Sequence, residues 1–364
     1  MISIDEARKD IEQIDAQMAE LFERRMVCAK CIAEYKMEKG LPVLDKSREK
    51  SLIERNVSYL KNPESEQYYR EFLDGILNVS KKYQHKLMTS LKVAYSGIEG
   101  SFASISVSRI FPDAERVPYK NFTQCYEAVE KGECDFAVMP IENSYAGEVD
   151  QVSDLMFNGS LFVNGVYELG VTQCLLGVKG STIDSITTVI SHPQALTQCN
   201  DYIYDHHFQS ISSDNTAVAA KEIADRNDKS VAAIASIETA ELYGLTVLEQ
   251  NINKSSQNTT RFAVFSKSKD LNKDNAEYSN SIVMFTVKDE AGTLARAISI
   301  IGAYGYNMTV LRSRPLRDKN WQYYFYIEME GKVTTENGEK MLAELSKNCE
   351  ILKVVGSYKP SCHI

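Results

Sequence analysis

Three cationic side chains in the first part of the chain have a spacing that suits the binding of a small dianion. Arg25 and Lys36 are eleven residues apart, so on a helix they return to nearly the same face, about 16 Å apart along the axis. Arg8 lies seventeen residues before Arg25 and projects roughly 50 to 100° away from it, which suits a pocket in a partner chain. Guanidinium and ammonium groups placed in this way bind carboxylates. Taken one at a time, such charges more often form a solvated helix face.

Five later segments place small polar side chains at the ends of predicted strands. They are YSGIEGSF (95–102), PIENSYAG (140–147), SHPQAL (191–196), DNTA (214–217) and NTTRF (258–262). Open α/β sheets bind ligands at strand ends, where helix N-termini offer N–H groups to an anion. Gly97 and Gly100 lack the spacing of a dinucleotide-binding turn, and no nucleophile elbow surrounds Ser191. We therefore expect an anionic ligand, and neither a dinucleotide nor serine hydrolase chemistry.

The elements that position the first group of residues are helices. A first helix is predicted to run to about Lys39 and to stop at 40–42, where Gly and Pro end it, with further helices over about 45–60 and 64–87. Its apolar positions step by three and four residues: Ile4, Ala7, Ile11, Ile14, Met18 and Leu21. Three helices of one chain cannot bury so long a seam, so we expect a partner chain to cover it.

The pattern of apolar residues changes at Leu91. Short apolar runs such as LKVAYSG, CDFAVMPI and TTVISH then alternate with helical stretches, which predicts an α/β fold. The polar stretch 266–280 is expected to be a linker, and the β-α-β-β-α-β order after it is typical of a ferredoxin-like fold. We therefore predict three domains: an all-α domain over 1–88, an α/β domain over 91–266 and an α+β domain over 281–360.

Composition narrows the class of protein. A chain of 364 residues with 43% hydrophobic content has enough apolar residues for several cores, and a net charge of −9 disfavours a nucleic-acid binder. The N-terminus shows no leader peptide, and no apolar run of about 18 residues occurs, so we expect a cytoplasmic protein that does not enter a membrane. Its eight cysteines would be reduced there. Cys28 and Cys31 lie inside the first predicted helix, which favours a structural role over a zinc or redox site.

The N-terminal 88 residues resemble the all-helical chorismate mutase family. The motifs that carry the likeness are Arg8 followed by I-x-x-I-D, Glu23-Arg24-Arg25, Tyr35-Lys36, P-V-x-D-x-x-R-E over 42–49, and Ser80-x-x-x-Gln84. The resemblance implies an intertwined dimer that rearranges chorismate to prephenate in a pericyclic reaction without a covalent intermediate. The positions that it assigns to the chorismate pocket are Arg8, Arg25, Lys36, Asp45, Arg48, Glu49, Ser80 and Gln84.

The chemistry of that rearrangement suggests a role for each of these side chains. The two substrate carboxylates need guanidinium partners, which we expect to be Arg25, Arg8 of the partner chain and Arg48. Charge develops on the breaking ether oxygen and needs donors. For this we expect the catalytic groups to be Lys36, Gln84 and, if burial keeps it protonated, Glu49. Asp45 and Ser80 would bond to the hydroxyl and carboxylate groups of the substrate.

Together the five segments of the α/β region resemble the prephenate dehydratase family over 91–266. The resemblance implies two lobes like those of periplasmic binding proteins with prephenate between them, and it makes Thr260 the essential catalytic residue. Elimination of the ring hydroxyl with loss of a carboxylate gives phenylpyruvate, water and CO2. Thr260 can donate to the leaving oxygen, and Arg261 would bind a carboxylate if it faces the cleft. The other residues expected to line the prephenate site are Asn143, Ser144, Ser191, His192 and Thr216.

The last region, 281–360, resembles the phenylalanine-binding ACT domain. The motifs that carry this likeness are Gly292-Thr293-Leu294, which opens a helix, and Ser313-Arg314-Pro315, which closes a strand. Thr293 and Arg312 depart from the usual pattern, since a smaller residue is expected at 293 and an acid at 312. A cation at 312 would disfavour the amino group of a bound amino acid. We still expect phenylalanine to be the effector.

The combined resemblance is to bifunctional enzymes of phenylalanine biosynthesis that carry both activities and an ACT domain. It implies no cofactor, no metal, a homodimer or higher homo-oligomer, and feedback regulation by phenylalanine. Two other classes remain open at this point: a two-lobed solute-binding protein with a helical oligomerisation module, and an amino-acid-responsive regulator without catalysis. An assay that follows chorismate to phenylpyruvate separates all three.

Overall fold

The structure is a computed structural model of the chain. It describes residues 3–39, 46–88, 91–254, 258–268, 280–316, 322–360 and 362–364, without the side chains of 46–48, 50, 85, 86 and 88. The chain divides into two compact units, which are described separately below. The first is Met1–Leu91 with Asp113–Glu115, and the second is Lys92–Pro112 with Arg116–Ile364.

The first unit is helical, as the apolar periodicity predicts. Its helices are α1 (Ile4–Lys39), α2 (Lys46–Val57) and α3 (Glu66–Met88), and a short 3-10 turn precedes α3 at Pro63–Ser65. The side chain of Asn62 caps that turn by accepting from the Glu64 backbone N–H at 3.1 Å. The predicted stop of α1 at 40–42 lies outside the described residues.

The apolar seam of α1 is exposed within this chain. Of its 36 residues, only Ala29, Ala33 and Lys39 are buried. Seven of its large apolar side chains are 40 to 69% exposed: Ile4, Ile11, Ile14, Met18, Leu21, Phe22 and Val27. A helix of this length is about 54 Å long, so it offers an extended hydrophobic surface that the described part of the chain leaves uncovered.

The second unit begins as an α/β structure. Its elements up to residue 266 are β1 (Lys92–Ser96), α4 (Phe102–Ile110), β2 (Glu115–Tyr119), α5 (Phe122–Lys131), β3 (Phe136–Asn143), β4 (Gly147–Glu148), α6 (Asp150–Asn158), β5 (Phe162–Gly170), β6 (Cys174–Gly177), β7 (Thr188–Ser191), α7 (Pro193–Gln198), α8 (Asn200–Asp205), β8 (Gln209–Ser212), α9 (Thr216–Arg226), β9 (Val231–Ala235), α10 (Ile237–Tyr243), β10 (Thr246–Glu249) and β11 (Thr259–Ser266). The chain leaves the first lobe after β5, builds the second lobe and returns through β11.

The second lobe is a five-stranded sheet in the order β10-β6-β9-β7-β8. Every residue of its central strand β9 is buried, as expected for a strand covered on both faces. In the first lobe, β11 lies between β5 and β3 and is antiparallel to both. This places the start of β11 where the two lobes connect, because the chain enters it directly from the second lobe.

The C-terminal elements have the β-α-β-β-α-β order that the sequence predicts. They are β12 (Asn280–Thr286), α11 (Thr293–Ala303), β13 (Met308–Pro315), β14 (Tyr323–Glu330), α12 (Glu336–Ser346) and β15 (Ile351–Tyr358), followed by β16 (Cys362–His363). The strand order is β13-β14-β12-β15, with antiparallel neighbours. The linker predicted over 266–280 falls mostly outside the described residues.

The C-terminal strands are joined edge to edge to the first lobe. β15 pairs with β5 at Gly356 and Val163, so one eleven-stranded sheet runs through both regions in the order β13-β14-β12-β15-β5-β11-β3-β1-β2, with β4 and β16 attached at its sides. The close approach requires glycine, because a Cβ at Gly356 would collide with the carbonyl oxygen of Val163. Tyr324 and Tyr326 also belong to the same buried cluster as first-lobe residues such as Met139. The two regions that we predict as separate domains therefore share a sheet and a core.

Two further expectations concern the state of the cysteines and the absence of a membrane-spanning helix. The eight cysteines are free thiols, and Cys28 and Cys31 are exposed on α1, consistent with the helical position inferred for the pair. Within the part of the chain that the structure describes, no helix is long and apolar enough to cross a membrane.

Candidate active sites

The helical unit brings Arg25 of α1 against α3. The Arg25 guanidinium donates to the hydroxyl of Ser80 in a short contact and to the carbonyl of Ile76 at 3.4 Å. Partial burial lowers the pKa of Arg25, although an arginine remains charged under any ordinary condition. Ser80 and Gln84, one helical turn apart, are 5% and 8% exposed. The structure thus brings together Arg25 and Ser80, two of the residues expected in the chorismate pocket.

Gln84 presents an unsatisfied polar atom in this buried region. Its Oε1 has no hydrogen-bond partner among the described residues. Rotation of the amide by 180° would instead present its N–H2 donors at the same place. In either orientation Gln84 offers a polar group to a ligand.

The remaining residues of the predicted chorismate pocket are spread over the unit. Glu49 forms an ion pair with Lys81 at 3.2 Å, and both side chains are 26% exposed. A donor role for Glu49 requires the protonated acid, whereas this pair uses the carboxylate. Arg8 is 70% exposed with Asp5 at 3.9 Å, and Lys36 is partly buried on α1. Two further predictions, Asp45 and the side chain of Arg48, lie outside the described residues.

In the second unit, Asn143 and Thr260 meet across neighbouring strands. Thr260 of β11 pairs in register with Asn143 at the end of β3, and the two are 8% and 6% exposed. The amide nitrogen of Asn143 donates to Thr260 Oγ1 at 2.9 Å and to Asn258 Oδ1 at 2.8 Å. The structure therefore joins the second and fifth of the segments singled out from the sequence.

The orientation of the Asn143 amide is fixed by the backbone. Its Oδ1 accepts from the N–H groups of Tyr145 at 3.0 Å and Ala146 at 2.9 Å, in the manner of an Asx turn. Backbone nitrogens are always donors, so Nδ2 must face Thr260 and Asn258. Because Thr260 Oγ1 accepts one of the two Nδ2 hydrogens, its own O–H hydrogen points elsewhere. Thr260 is thereby arranged as a hydrogen-bond donor.

The second lobe contacts this pair through the SHPQAL segment. Gln194 Nε2 donates to Asn143 Oδ1 at 3.3 Å. His192 caps α7 by accepting from the Gln194 backbone N–H at Nδ1, 3.2 Å away. Burial lowers the pKa of His192, although the Asp214 carboxylate acts in the opposite direction. A neutral imidazole is what the cap requires, because only an unprotonated Nδ1 can accept.

Three other predicted dehydratase residues make structural contacts. Ser191 is fully buried and donates to the carbonyl of Ile234 at 2.6 Å. Ser144 closes the end of the strand pair, since its Oγ accepts from the Thr259 N–H at 2.9 Å. Thr216 is the first residue of α9 and is 9% exposed. These contacts hold the segments in place without linking Ser191 or Thr216 directly to Thr260.

The prediction that Arg261 binds a substrate carboxylate is not supported. Successive residues of a strand point to opposite faces, so Arg261 lies on the other side of β11 from Thr260, opposite Glu142. Its guanidinium pairs with Glu142 at 3.0 Å and with Glu328 of β14 at 2.8 and 3.0 Å, and it donates to Tyr358 at 3.1 Å. Arg261 is therefore engaged by two carboxylates on the side of β11 opposite to Thr260.

The cluster around Arg261 joins strands β3 and β11 to the C-terminal strands. Burial alone would raise the pKa of Glu328, but Arg261 and the hydroxyls of Tyr326 and Tyr358 outweigh it, so the pKa is lowered. Glu142 also forms a short ion pair with Arg312, whose guanidinium lies 5.8 Å from the ring centre of Tyr326. The unusual cation at 312 thus has a carboxylate partner in β3, the strand that carries Asn143.

The predicted effector motifs lie on two different elements. Gly292 has φ +84° and precedes α11, and the Thr293 hydroxyl donates to the carbonyls of Lys288 at 2.7 Å and Glu290 at 2.9 Å. Leu294 packs against the core of the C-terminal sheet. The second motif closes β13 and consists of Ser313, Arg314 and Pro315. Arg314 donates to Asp154 at 3.3 Å and to the Tyr324 hydroxyl at 2.9 Å.

Sequence reasoning missed four residues that the structure places in these sites. They are Lys81, Glu142, Gln194 and Asn258. Glu142, Gln194 and Asn258 lie inside the segments PIENSYAG, SHPQAL and NTTRF. The sequence therefore marks their segments as functional, but it does not indicate a role for these three side chains. Lys81 follows Ser80 directly, and only the packing of α2 on α3 shows that it reaches Glu49.

Sequence comparison identifies relatives for both units. The family model described as chorismate mutase type II matches residues 7–85, and the one described as prephenate dehydratase matches residues 93–270. A bifunctional chorismate mutase/prephenate dehydratase of Aquifex aeolicus is 32% identical over 98% of this chain and 98% of its own length. An arogenate dehydratase/prephenate dehydratase of Arabidopsis thaliana is 34% identical over 74% of this chain and 72% of its own.

A solved structure resembles the second unit. It is a prephenate dehydratase from Arthrobacter aurescens in complex with L-Phe, with a TM-score of 0.69 and 25% identity. The match covers 74% of this chain and 90% of that one. The likeness therefore extends over the α/β region and beyond it.

Proposed function

This chain belongs to the family of bifunctional chorismate mutase/prephenate dehydratases, and from that premise we propose which of its residues carry the two reactions and their regulation. The enzyme rearranges chorismate to prephenate and converts prephenate to phenylpyruvate, within phenylalanine biosynthesis. Membership of this family removes the support for the two non-catalytic alternatives. The assignments below concern the residues, the assembly and the effector.

Arg25, Ser80 and Gln84 form the core of the proposed mutase site. Arg25 is held against α3 by Ser80 and Ile76, where it can pair with a substrate carboxylate. In the rearrangement the ether C–O bond breaks as a C–C bond forms, and negative charge gathers on the ether oxygen. Gln84 and Lys36 are the donors proposed for that oxygen. Glu49 then supports the site through Lys81, in place of the donor role predicted from the sequence.

A second copy of the chain completes this site in our proposal. The apolar seam of α1 is exposed along its length, and burying it would release a large area from water. Arg8 stands on the same helix, 70% exposed, and can reach the pocket of a partner. A homodimer therefore explains both the uncovered seam and the position of Arg8. Mutase activity that rises with protein concentration in parallel with dimer formation would support this assembly.

The Asn143–Thr260 pair is the observation that carries the dehydratase assignment. Prephenate loses its ring carboxylate as CO2, the bonding electrons enter the ring, and the hydroxyl on the opposite carbon departs. The balance is prephenate dianion plus one proton giving phenylpyruvate monoanion, CO2 and water. Thr260 donates a hydrogen bond to the departing oxygen, and the net proton comes from solvent. Asn143 orients Thr260 for this donation.

We further propose that phenylalanine is the effector and that residues 281–360 form the ACT domain that senses it. Support comes from the strand order of that region and from the relative solved with L-Phe. The charge of Arg312 is offset by Glu142, which weakens the objection that a cation at 312 would repel an amino group. Titration calorimetry with millimolar phenylalanine should show binding, and no measurable heat would contradict this part of the proposal.

A coupled assay tests the two site assignments. Purified chain without added cofactor should convert chorismate to prephenate and then to phenylpyruvate. Thr260→Ala should abolish the second step and spare the first, whereas Arg25→Ala should do the reverse, with Thr260→Ser as the conservative control. Loss of both activities in either folded variant would contradict the assignment. Because one relative is named for arogenate as well as prephenate, arogenate belongs in the same assay as a second substrate.

The eight free cysteines bear on the cellular location of the enzyme. We propose that both reactions take place in the cytoplasm, where the cysteines remain reduced. Fractionation of cells that express the tagged chain would test this, with recovery in a membrane or extracellular fraction as the contrary result.

A further inference from the structure

One buried amide beside Thr260 has a donor that the fold does not use. Asn258 is 4% exposed, and its Oδ1 accepts from Asn143 Nδ2 at 2.8 Å. Its Nδ2 has no hydrogen-bond partner among the described residues. Buried polar groups in folded proteins are nearly always paired, so a buried free N–H2 group needs an explanation.

The direction of this amide follows from its neighbours. The backbone N–H groups of Tyr145 and Ala146 fix the Asn143 oxygen, and Asn143 must therefore present its N–H2 group to Asn258. Only an oxygen can accept that donor, so the nitrogen of Asn258 faces the other way. The unpaired donor is thus a result of the surrounding geometry and not of an arbitrary choice between the two ends of the amide.

Asn258 and Thr260 lie on the same face of one extended segment. They are two residues apart, which corresponds to about 6 to 7 Å along a strand, and both contact the single amide nitrogen of Asn143. The Asn258 carbonyl accepts from the Val171 N–H at 2.8 Å, so the segment continues the ladder of β11. Two donors, a hydroxyl and an amide, therefore stand side by side.

We infer that Asn258 Nδ2 binds a carboxylate of the dehydratase substrate, an inference that rests on the function proposed above. A carboxylate is the acceptor that gains most from a buried donor. Prephenate carries two, one of which leaves as CO2. A hydrogen-bond donor on the carboxylate that leaves as CO2 would stabilise its negative charge in the bound substrate. That charge is lost in the reaction, so such a donor would slow it. The structure therefore assigns Asn258 to the side-chain carboxylate, which the product phenylpyruvate retains.

Asn258→Asp tests this contact with little change of shape. The carboxylate keeps an oxygen for Asn143 to donate to, so Thr260 stays oriented, while the outward N–H2 becomes an acceptor that repels an anion. Asn227→Asp is the matched control, because it makes the same charge change at an exposed residue following α9. Asn227 has φ +50°, which aspartate also tolerates. The mutase reaction of each variant serves as an internal measure of intact protein, together with thermal unfolding.

The expected result is a rise of roughly 10- to 100-fold in the KM for prephenate, with a much smaller change in kcat. Product inhibition by phenylpyruvate should weaken by a similar factor. Asn258→Ser, which is neutral and too short to reach, should raise the KM by about ten-fold. Asn227→Asp should leave the KM and the product inhibition unchanged.

Several outcomes would overturn the inference. A KM of Asn258→Asp within about two-fold of the wild-type value would show that Asn258 does not contact prephenate. A loss of kcat alone would make Asn258 a structural support of Thr260. If Asn258→Asp has a raised KM for prephenate but is inhibited by phenylpyruvate as strongly as the wild type, Asn258 binds the departing carboxylate instead. A raised KM in the Asp variant but not in the Ser variant would show a through-space charge effect only. Wild-type chain that forms no phenylpyruvate would instead overturn the proposed function, and this inference with it.

Discussion

Replacement of Arg261 by methionine tests whether this arginine holds β11 to the C-terminal strands or binds substrate. The change keeps the apolar stem of the side chain but removes the guanidinium group and its charge. It leaves the Glu328 carboxylate, 3% exposed, buried beside the hydroxyls of Tyr326 and Tyr358. Glu142 keeps Arg312 as a partner. The main effect of the substitution is therefore to leave the buried Glu328 carboxylate without a cationic partner.

The size of the effect follows from the burial of this pair. Breaking a buried ion pair by removing one partner costs about 3 to 5 kcal/mol, and the lower end applies because two tyrosine hydroxyls still donate to Glu328. For a unit of this size about 3 kcal/mol corresponds to a fall of roughly 6 to 12 °C in Tm. Adding Glu328→Gln to the variant removes the buried charge and keeps the acceptor, so much of that loss should be recovered.

The pH dependence gives a second readout of the same pair. In the wild type the pKa of Glu328 is lowered, so its contribution to stability is present above its unfolded pKa and is lost as pH falls through the folded one. In Arg261→Met, burial without the cation raises that pKa. The difference in stability between wild type and variant should therefore be largest near neutral pH and should shrink as Glu328 takes up a proton in acid.

Thermal unfolding between pH 4 and 8, together with the KM for prephenate, completes the test. We expect the double variant Arg261→Met/Glu328→Gln to regain both stability and a KM within about three-fold of wild type. If Arg261 bound a substrate carboxylate, the KM would stay raised by ten-fold or so in the double variant. A Tm of Arg261→Met within about 2 °C of wild type would refute the structural role outright.

Three further predictions concern the junction of the sheet and the buried titratable groups. Gly356→Ala should destabilise the second unit by about 1 to 3 kcal/mol, because the new Cβ meets the Val163 carbonyl; an unchanged Tm in calorimetry would mean that β15 does not pair with β5. Lys353→Met should cost about 2 kcal/mol, because the Lys353 ammonium donates to carbonyls at the end of α6, including that of Phe157 at 3.2 Å; guanidinium unfolding would show it, and an unchanged midpoint would contradict it. The pKa of His192 should lie below about 6.5 in an NMR titration, because burial disfavours imidazolium. The contribution of neutral His192 to stability is then complete above about pH 6.5 and declines as pH falls through the folded pKa. A measured pKa above 6.5 would contradict the neutral imidazole that caps α7.

Much of the architecture could be predicted because it depends on local pattern. The three-to-four periodicity of α1 and the short apolar runs after Leu91 each identify an element from neighbouring residues alone. Strand alternation also contained the information that Thr260 and Arg261 face opposite ways. Alternation alone leaves open which of these two residues meets the ligand, because the face of β11 that lines the site is not a local property.

The features that the sequence did not reveal depend on contacts between distant residues. Glu142 and Arg312 are 170 positions apart, and Arg261 and Glu328 are 67 apart. No pattern within one window indicates such partners, and a charged residue is more often solvated than paired. The unused donor of Asn258 likewise becomes visible only once Asn143 is placed, because three backbone and side-chain neighbours together determine which way each amide turns.

The continuous eleven-stranded sheet has a consequence for amide hydrogen exchange. Amides of central strands exchange through larger openings of the sheet, whereas those of an edge strand are released by local fraying. Protection should therefore be highest in the middle strands β15, β5 and β11 and should decline outwards in both directions, towards β2 on one side and β13 on the other. A single gradient that crosses from the dehydratase strands into the C-terminal strands would show that the two regions open as parts of one sheet. The amide of Thr260 would lie near its most protected point.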